Sequence, residues 1–375
     1  MSEDLDLLVS AAIAQIAPYE PGKPLEELAR ELGGAWPKEG AIKLASNENP
    51  LGPSPKAMAA AARALANVHR YPDGGSFYLR AALAERHGVS PRQIAVGQGS
   101  NELIDLLIQT FCESDEEVLA PACSFACYRL SAEAHRRPFR ETPNGPGFAY
   151  DLDALAAAVT PRTKIVFLAN PNNPTGVYAT KARFERLLDA LPARVILAVD
   201  EAYFEYARAA DHPDAMSYLS ARPRLVVLRT FSKIYGLAGL RVGYAVGQPE
   251  LIDYLHRVRL AFNVGLVAQA AARAALDDGE HVERSRRSNA TELERMASGL
   301  GALGWTVTPS QTNFLLAEVP ADRDARAIYQ ALLERGVIVR PMGPYRLPRH
   351  LRITVGATAE TSRLLETVAA VQREP

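Results

Sequence analysis

The chain has 375 residues, 48% of them hydrophobic and 23% charged, with a formal net charge of −1. Those values suit an ordinary globular protein of two domains, or of one large and one small lobe. The balanced charge gives no electrostatic case for nucleic acid or an anionic membrane, and no apolar run reaches the roughly 18 residues of a spanning helix.

Residues 1–45 are expected to form an arm. A short amphipathic helix is predicted over 4–16, and the prolines of 18–24 then force an extended path. The first residues are acidic where a signal peptide would be basic, so a cytoplasmic protein is expected. From 46 onward strand alternates with helix. Ile94–Gly97 predicts a strand that turns at Gly99 into a helix over 100–111. Strands are predicted at 117–120, 164–169, 195–199 and 225–228. Strands parted by helical runs predict an α/β fold over 46–265, with a mostly parallel, doubly wound sheet. Over 266–375 the pattern changes. A long polar-faced helix at about 266–300 precedes a strand at 313–318 and a helix near 323–335. Strands at 337–340 and 351–355 and a last helix follow, which predicts a smaller α+β domain.

Lysine use is the strongest chemical signal. Of 42 Lys and Arg residues only seven are Lys, and Lys233 is the one lysine after Lys181. A lone lysine among small and apolar residues points to what arginine cannot do, which is to lose its proton and attack a carbonyl. The other candidates follow strands, where ligands of open α/β sheets bind. Gly97-Gln98-Gly99-Ser100-Asn101 either caps a helix or offers amides and a helix dipole to a phosphate. Asp200 ends an apolar strand; its carboxylate either caps the next turn or meets a cation such as a protonated pyridine nitrogen. Tyr203 could reach the same ligand. Asn170-Pro171-Asn172-Asn173-Pro174-Thr175-Gly176 is a rigid turn, or a loop that aims an Asn amide inward. Arg241 lies among glycines and apolar residues, where its fork suits a phosphate. Arg340 and Arg352 each interrupt an apolar strand. Singly they would be surface cations; together in one lobe they suggest anion recognition. Cys112, Cys123 and Cys127 fit no zinc spacing and are expected as buried thiols in a reducing compartment, with no metal.

Together these residues make the chain resemble the fold-type-I, pyridoxal-phosphate-dependent aminotransferases, and more narrowly the histidinol-phosphate aminotransferase family. The resemblance covers nearly the whole chain. Its carriers are the 170–176 turn, Asp200-Glu201-Ala202-Tyr203, Thr230-Phe231-Ser232-Lys233, Gly239-Leu240-Arg241-Val242-Gly243 and Leu351-Arg352-Ile353-Thr354-Val355-Gly356. Residues 18–24 and 43–52 match the family too.

The resemblance implies pyridoxal 5′-phosphate as cofactor, small-molecule amino donors and 2-oxo acids as substrates, and a homodimer with shared sites. Lys233 would hold the cofactor covalently and move the proton between substrate Cα and cofactor C4′. Asp200 would pair with the ring nitrogen, Asn173 and Tyr203 with the ring oxygen, and Phe125 would stack on the ring. Ser100, Asn101, Thr230, Ser232 and Arg241 would hold the phosphate, joined by Tyr71 from the neighbouring subunit. Arg352 would clamp a carboxylate, Tyr19 and Arg340 would contact the distal phosphate of histidinol phosphate, and Asn47 and Asn173 would also face the substrate. Phe125 and Asn101 stand where many relatives carry Tyr and Asp. The proline-rich segment 341–348 also resembles relatives that transaminate phenylalanine or tyrosine. The implied reaction is transamination of histidinol phosphate with 2-oxoglutarate, in histidine biosynthesis. The alternatives are an aromatic aminotransferase, a decarboxylase of the same cofactor class, or a non-catalytic regulator on this scaffold.

Overall fold

The computed structural model describes residues 9–18, 22–33 and 40–374; Tyr19 lies outside the described residues. Its strands are β1 (Ile42–Lys43), β2 (Ile94–Gly97), β3 (Glu117–Pro121), β4 (Phe139–Thr142), β5 (Thr163–Ala169), β6 (Ile196–Asp200), β7 (Leu225–Thr230), β8 (Gly243–Val246), β9 (Thr306–Val307), β10 (Phe314–Glu318), β11 (Val337–Ile338), β12 (Arg340–Pro341) and β13 (His350–Thr354). Seven of them form the central sheet, in the order β2-β8-β7-β6-β5-β3-β4. All run in one direction except β8, which is antiparallel to both neighbours.

Both faces of this sheet are covered, so its middle strands are nearly continuous apolar runs. Side chains alternate between two cores. Val166, Leu168, Leu197, Val199 and Val227 enter one, and Ile165, Phe167, Ala198, Val226 and Leu228 enter the other. The parallel, doubly wound sheet expected from the sequence is present. Two of its strands were not expected. Edge strand β4 is only four residues long, and β8 begins two residues beyond Arg241.

The long helix expected at 266–300 is two helices, Leu266–Leu276 and Gly279–Ala302. Asp278 ends the continuity by accepting the His281 N–H at 3.3 Å, which starts the second helix afresh. The first helix presents Ala268, Ala271, Ala272 and Ala275 to the core shared with β5–β7. These small side chains allow close packing on helix Pro55–Leu65.

A third core gathers Leu300, Leu315, Leu332, Ile353, Leu364 and Val368. It lies between the antiparallel sheet β12-β13-β10-β9 and the helices Gly279–Ala302, Ala325–Glu334 and Thr358–Arg373. The strand expected at 337–340 divides at Val339. β11 pairs in parallel with β1, whereas β12 pairs with β13. Leu44 continues the join, donating to Ile338 O at 2.7 Å and accepting from Thr354 N at 2.8 Å. The segment that carries Asn47 is thereby fastened to the smaller sheet.

Candidate active site

The carboxyl ends of β2, β5, β6 and β7 open on one side of the central sheet. Together with residues 45–47, Arg340 and Arg352 they enclose a cavity of about 240 Å³. Asn47, Ser100, Asn101, Phe125, Asn173, Asp200, Tyr203, Thr230, Ser232, Lys233, Arg241, Arg340 and Arg352 all line it. Thirteen residues scattered over three hundred positions thus meet in one space. Tyr71 does not join them. It is 83% exposed and stacks on Phe262 with ring centroids 4.8 Å apart.

Asp200 is 4% exposed. Tyr128 donates its hydroxyl to Oδ2 at 2.8 Å, and the Ala202 N–H donates to Oδ1 at 3.2 Å. Tyr128 is itself buried and stacked on Phe167 at 4.6 Å. Burial pushes the Asp200 carboxyl up to about 6, against the Tyr128 and Ala202 hydrogen bonds and the Lys233 charge. Such a carboxylate gains most from a cation that enters the cavity. The sequence reading missed Tyr128. It lies three residues after Phe125, and nothing in that spacing names Asp200 as its partner across the fold.

The half-buried Lys233 donates from Nζ to Ser46 O at 3.3 Å, and Nζ lies 5.7 Å from the centre of the Tyr203 ring. Loss of hydration and then the Arg352 and Arg241 charges bring its amine down to about 8, with Glu48 and Asp200 opposing. Near pH 8 a large fraction of the amine is therefore neutral and nucleophilic. Tyr203 accepts a hydrogen bond from Asn47 Nδ2 at 2.8 Å, and the Asn47 N–H donates to Thr354 Oγ1 at 2.9 Å. Asn47 faces the cavity as expected, but its amide is engaged in orienting the Tyr203 hydroxyl.

The cavity has cations at two ends. At one, Arg241 Nη1 reaches Ser232 Oγ at 3.3 Å, and Nη2 reaches Gln98 O at 3.5 Å. Two glycines make this end possible. A Cβ on Gly99 (φ +74°) would lie 2.6 Å from Arg241 Nη2, and one on Gly243 would lie 2.7 Å from Ser100 N. Ser100 is in the first turn of helix Gly99–Phe111, where backbone N–H groups lack helical partners. A cradle of N–H groups, hydroxyls and a guanidinium suits a phosphate. At the other end Arg352 Nη1 donates to Asn173 Oδ1 at 2.6 Å and Nη2 to Ala45 O at 2.8 Å. Arg340 is its partner in the β12–β13 pairing.

Of the three thiols expected to be buried, only Cys112 is fully so; Cys123 and Cys127 are half-buried. Among the described residues no group of three His, Cys, Asp or Glu side chains could hold a metal. Among them, too, no helix is long and apolar enough to cross a membrane.

Residues 39–371 match the family "Aminotransferase class I and II". The chain is 50% identical over 364 residues to a histidinol-phosphate aminotransferase of Anaeromyxobacter sp. (strain Fw109-5), covering 97% of this chain and 99% of that protein. It is 43% identical to histidinol-phosphate aminotransferase 1 of Nitrosococcus oceani, covering 98% and 97%. Its fold is similar to the crystal structure of histidinol-phosphate aminotransferase from Sinorhizobium meliloti in complex with pyridoxal-5′-phosphate, with a TM-score of 0.88, 29% identity and 97% of both chains covered. The chain belongs to the class I and II aminotransferases and, within them, to the histidinol-phosphate aminotransferase family.

Proposed function

We propose that the protein is a pyridoxal-phosphate-dependent transaminase that interconverts histidinol phosphate and 2-oxoglutarate with imidazole acetol phosphate and glutamate. The observation that carries this reading is the convergence, in one cavity, of a lysine with depressed proton affinity, a buried carboxylate and cations at both ends. The names of the relatives agree with it.

The cavity fits the cofactor on its own chemistry. Gly99 and Gly243 let the Arg241 guanidinium and the first turn of helix Gly99–Phe111 come together, where any Cβ would collide with them. Ser100, Asn101, Thr230, Ser232 and Arg241 would hold that phosphate, Asp200 the ring nitrogen, and Asn173 and Tyr203 the ring oxygen. Phe125 would cover the ring face. When bound, pyridoxal phosphate supplies an electron sink and the carbon that takes up the amino group. Lys233 would hold it covalently and, once displaced by the substrate amine, serve as the base that takes the proton from substrate Cα and returns it. Arg352 would bind the carboxylate of glutamate, and Arg340, with Tyr19, the phosphate of histidinol phosphate.

We also propose a homodimer. Exposed Met58, Leu65, Val68 and Tyr71, on and after helix Pro55–Leu65, are the kind of surface a second copy covers. Tyr71 would then reach the phosphate in the partner's cavity. We divide the chain into an arm over 1–45, a large cofactor-holding domain over 46–265 and a small domain over 266–375; the separate cores of the two sheets support the two domains, with helix Leu266–Leu276 packed back on the large core. A cytoplasmic location accords with three free thiols and a biosynthetic reaction.

A second cavity of about 420 Å³ adjoins the first at Phe125 and Arg340 and is walled by Tyr345 and Leu347. Its aromatic lining favours phenylalanine or tyrosine as an alternative donor. The decisive test follows loss of the visible band of the lysine-bound cofactor with histidinol phosphate, phenylalanine, tyrosine and glutamate in parallel. Histidinol phosphate and glutamate should react fastest; a preference for phenylalanine or tyrosine over histidinol phosphate would replace this reading with the aromatic one.

A further inference from the structure

Two buried charges that the proposed reaction does not touch stand beside the residues that it does. Glu201 directly follows Asp200, and Arg229 directly precedes Thr230; both are buried. Alternation along a strand sends neighbours to opposite faces. Asp200 and Thr230 line the cavity, while Glu201 and Arg229 face the other side of the sheet. There Arg229 Nε and Nη2 both donate to Glu201 Oε2, at 2.9 and 2.8 Å. Nη2 also donates to Asp214 Oδ1 at 2.9 Å, and the Phe204 ring centre lies 3.7 Å from the Arg229 Cζ. The second Glu201 oxygen accepts from Ala215 N at 2.9 Å.

This fork begins where the backbone ladder stops. The last residues paired between β6 and β7 are Asp200 and Leu228, and the last backbone bond runs from Glu201 N to Leu228 O at 2.8 Å. Beyond it β7 pairs on its other side only, with β8. The strand end that bears Asp200 and the segment that leads to Lys233 are thus joined by side chains, not by backbone. A buried ion pair is a poor source of stability, since an apolar pair often serves as well. Its directional bonds do fix a separation, which apolar contact does not.

We infer that Glu201 and Arg229 are positioning residues for the cofactor, clamping Asp200 at a set distance from Thr230 and Lys233 from the far side of the sheet. The inference rests on the cofactor reading above.

Three variants test it. Glu201→Gln removes the charge, Arg229→Lys removes the fork, and the double variant Glu201→Gln/Arg229→Met removes both without stranding an unpaired cation. Each is measured below its own unfolding range for pyridoxal phosphate affinity and for the pH midpoint of the lysine-bound cofactor band. Thermal midpoints of the cofactor-free proteins are recorded beside them. All three should bind the cofactor about tenfold or more weakly, as loss of a supporting layer around a bound group does. The band midpoint should move to higher pH, because a displaced carboxylate stabilises positive charge on the ring less well. The double variant should show both effects even where its thermal midpoint returns to the wild-type value. Wild-type affinity and band midpoint in the folded variants, with only thermal midpoints lowered, would overturn the inference and leave the cofactor reading standing. A wild-type protein that forms no such band would overturn both.

Discussion

Arg340 and Arg352 stand directly opposite one another across the β12–β13 pair, 8% and 7% exposed. Like charges placed directly opposite in a sheet repel one another. An anion bound in the cavity that both residues line would relieve that repulsion. Arg340→Ala should therefore lower kcat/KM for histidinol phosphate by roughly 10- to 100-fold, the loss of a hydrogen bond to a charged group. Turnover of phenylalanine should change far less. Equal losses for the two donors would remove Arg340 from the phosphate site.

Asp200 tests the cost of preparing a cation site. Its folded carboxyl is raised to about 6 from 3.8. The charged form is thus disfavoured in the fold, so the penalty is absent below pH 3.8 and complete above about 6. Asp200→Asn should stabilise the cofactor-free protein at pH 8 by up to about 3 kcal/mol, a gain that fades as pH falls toward 4. The same variant should bind pyridoxal phosphate more weakly. Melting curves of the cofactor-free proteins across this pH range check the first half. A gain over wild type that is no larger at pH 8 than at pH 4 would contradict it.

Tyr128→Phe keeps the ring on Phe167 and removes the hydroxyl that meets Asp200. The Asp200 carboxyl should rise further, and cofactor affinity at pH 8 should fall by about tenfold, the scale of one bond to a carboxylate. A fluorescence titration with pyridoxal phosphate reads this. Unchanged affinity would make Tyr128 a packing residue only.

The sequence revealed the site better than it revealed what supports the site. β5, β6 and β7 were legible because strands buried on both faces must be apolar throughout. Lys233, Asp200 and Arg241 were legible because their polarity contradicts those surroundings. Tyr128, Glu201 and Arg229 looked like parts of ordinary elements; their roles depend on which residues lie across the fold, and a single chain does not record that. The break at Asp278 was hidden because both flanking segments favour helix, and β8 because its four residues run straight on from the glycine-rich segment around Arg241. The opposition of Arg340 and Arg352 needed the β12–β13 register, although each arginine had already interrupted its strand.

Tyr71 lies outside the cavity of its own chain, so its proposed role is testable by mixing. Tyr71→Ala and Lys233→Ala proteins should each be nearly inactive. Exchanged subunits should regain about a quarter of wild-type activity, since half the dimers would be mixed and each would hold one complete site of two. No recovery, with exchange confirmed, would separate Tyr71 from the neighbouring site.

The whole reading turns on one amine. Reduction of the wild-type protein with borohydride, followed by peptide mapping, should fix the cofactor on the peptide that contains Lys233, and the Lys233→Ala protein should show neither the visible band nor an adduct. An adduct on another lysine, or one that survives Lys233→Ala, would contradict the account.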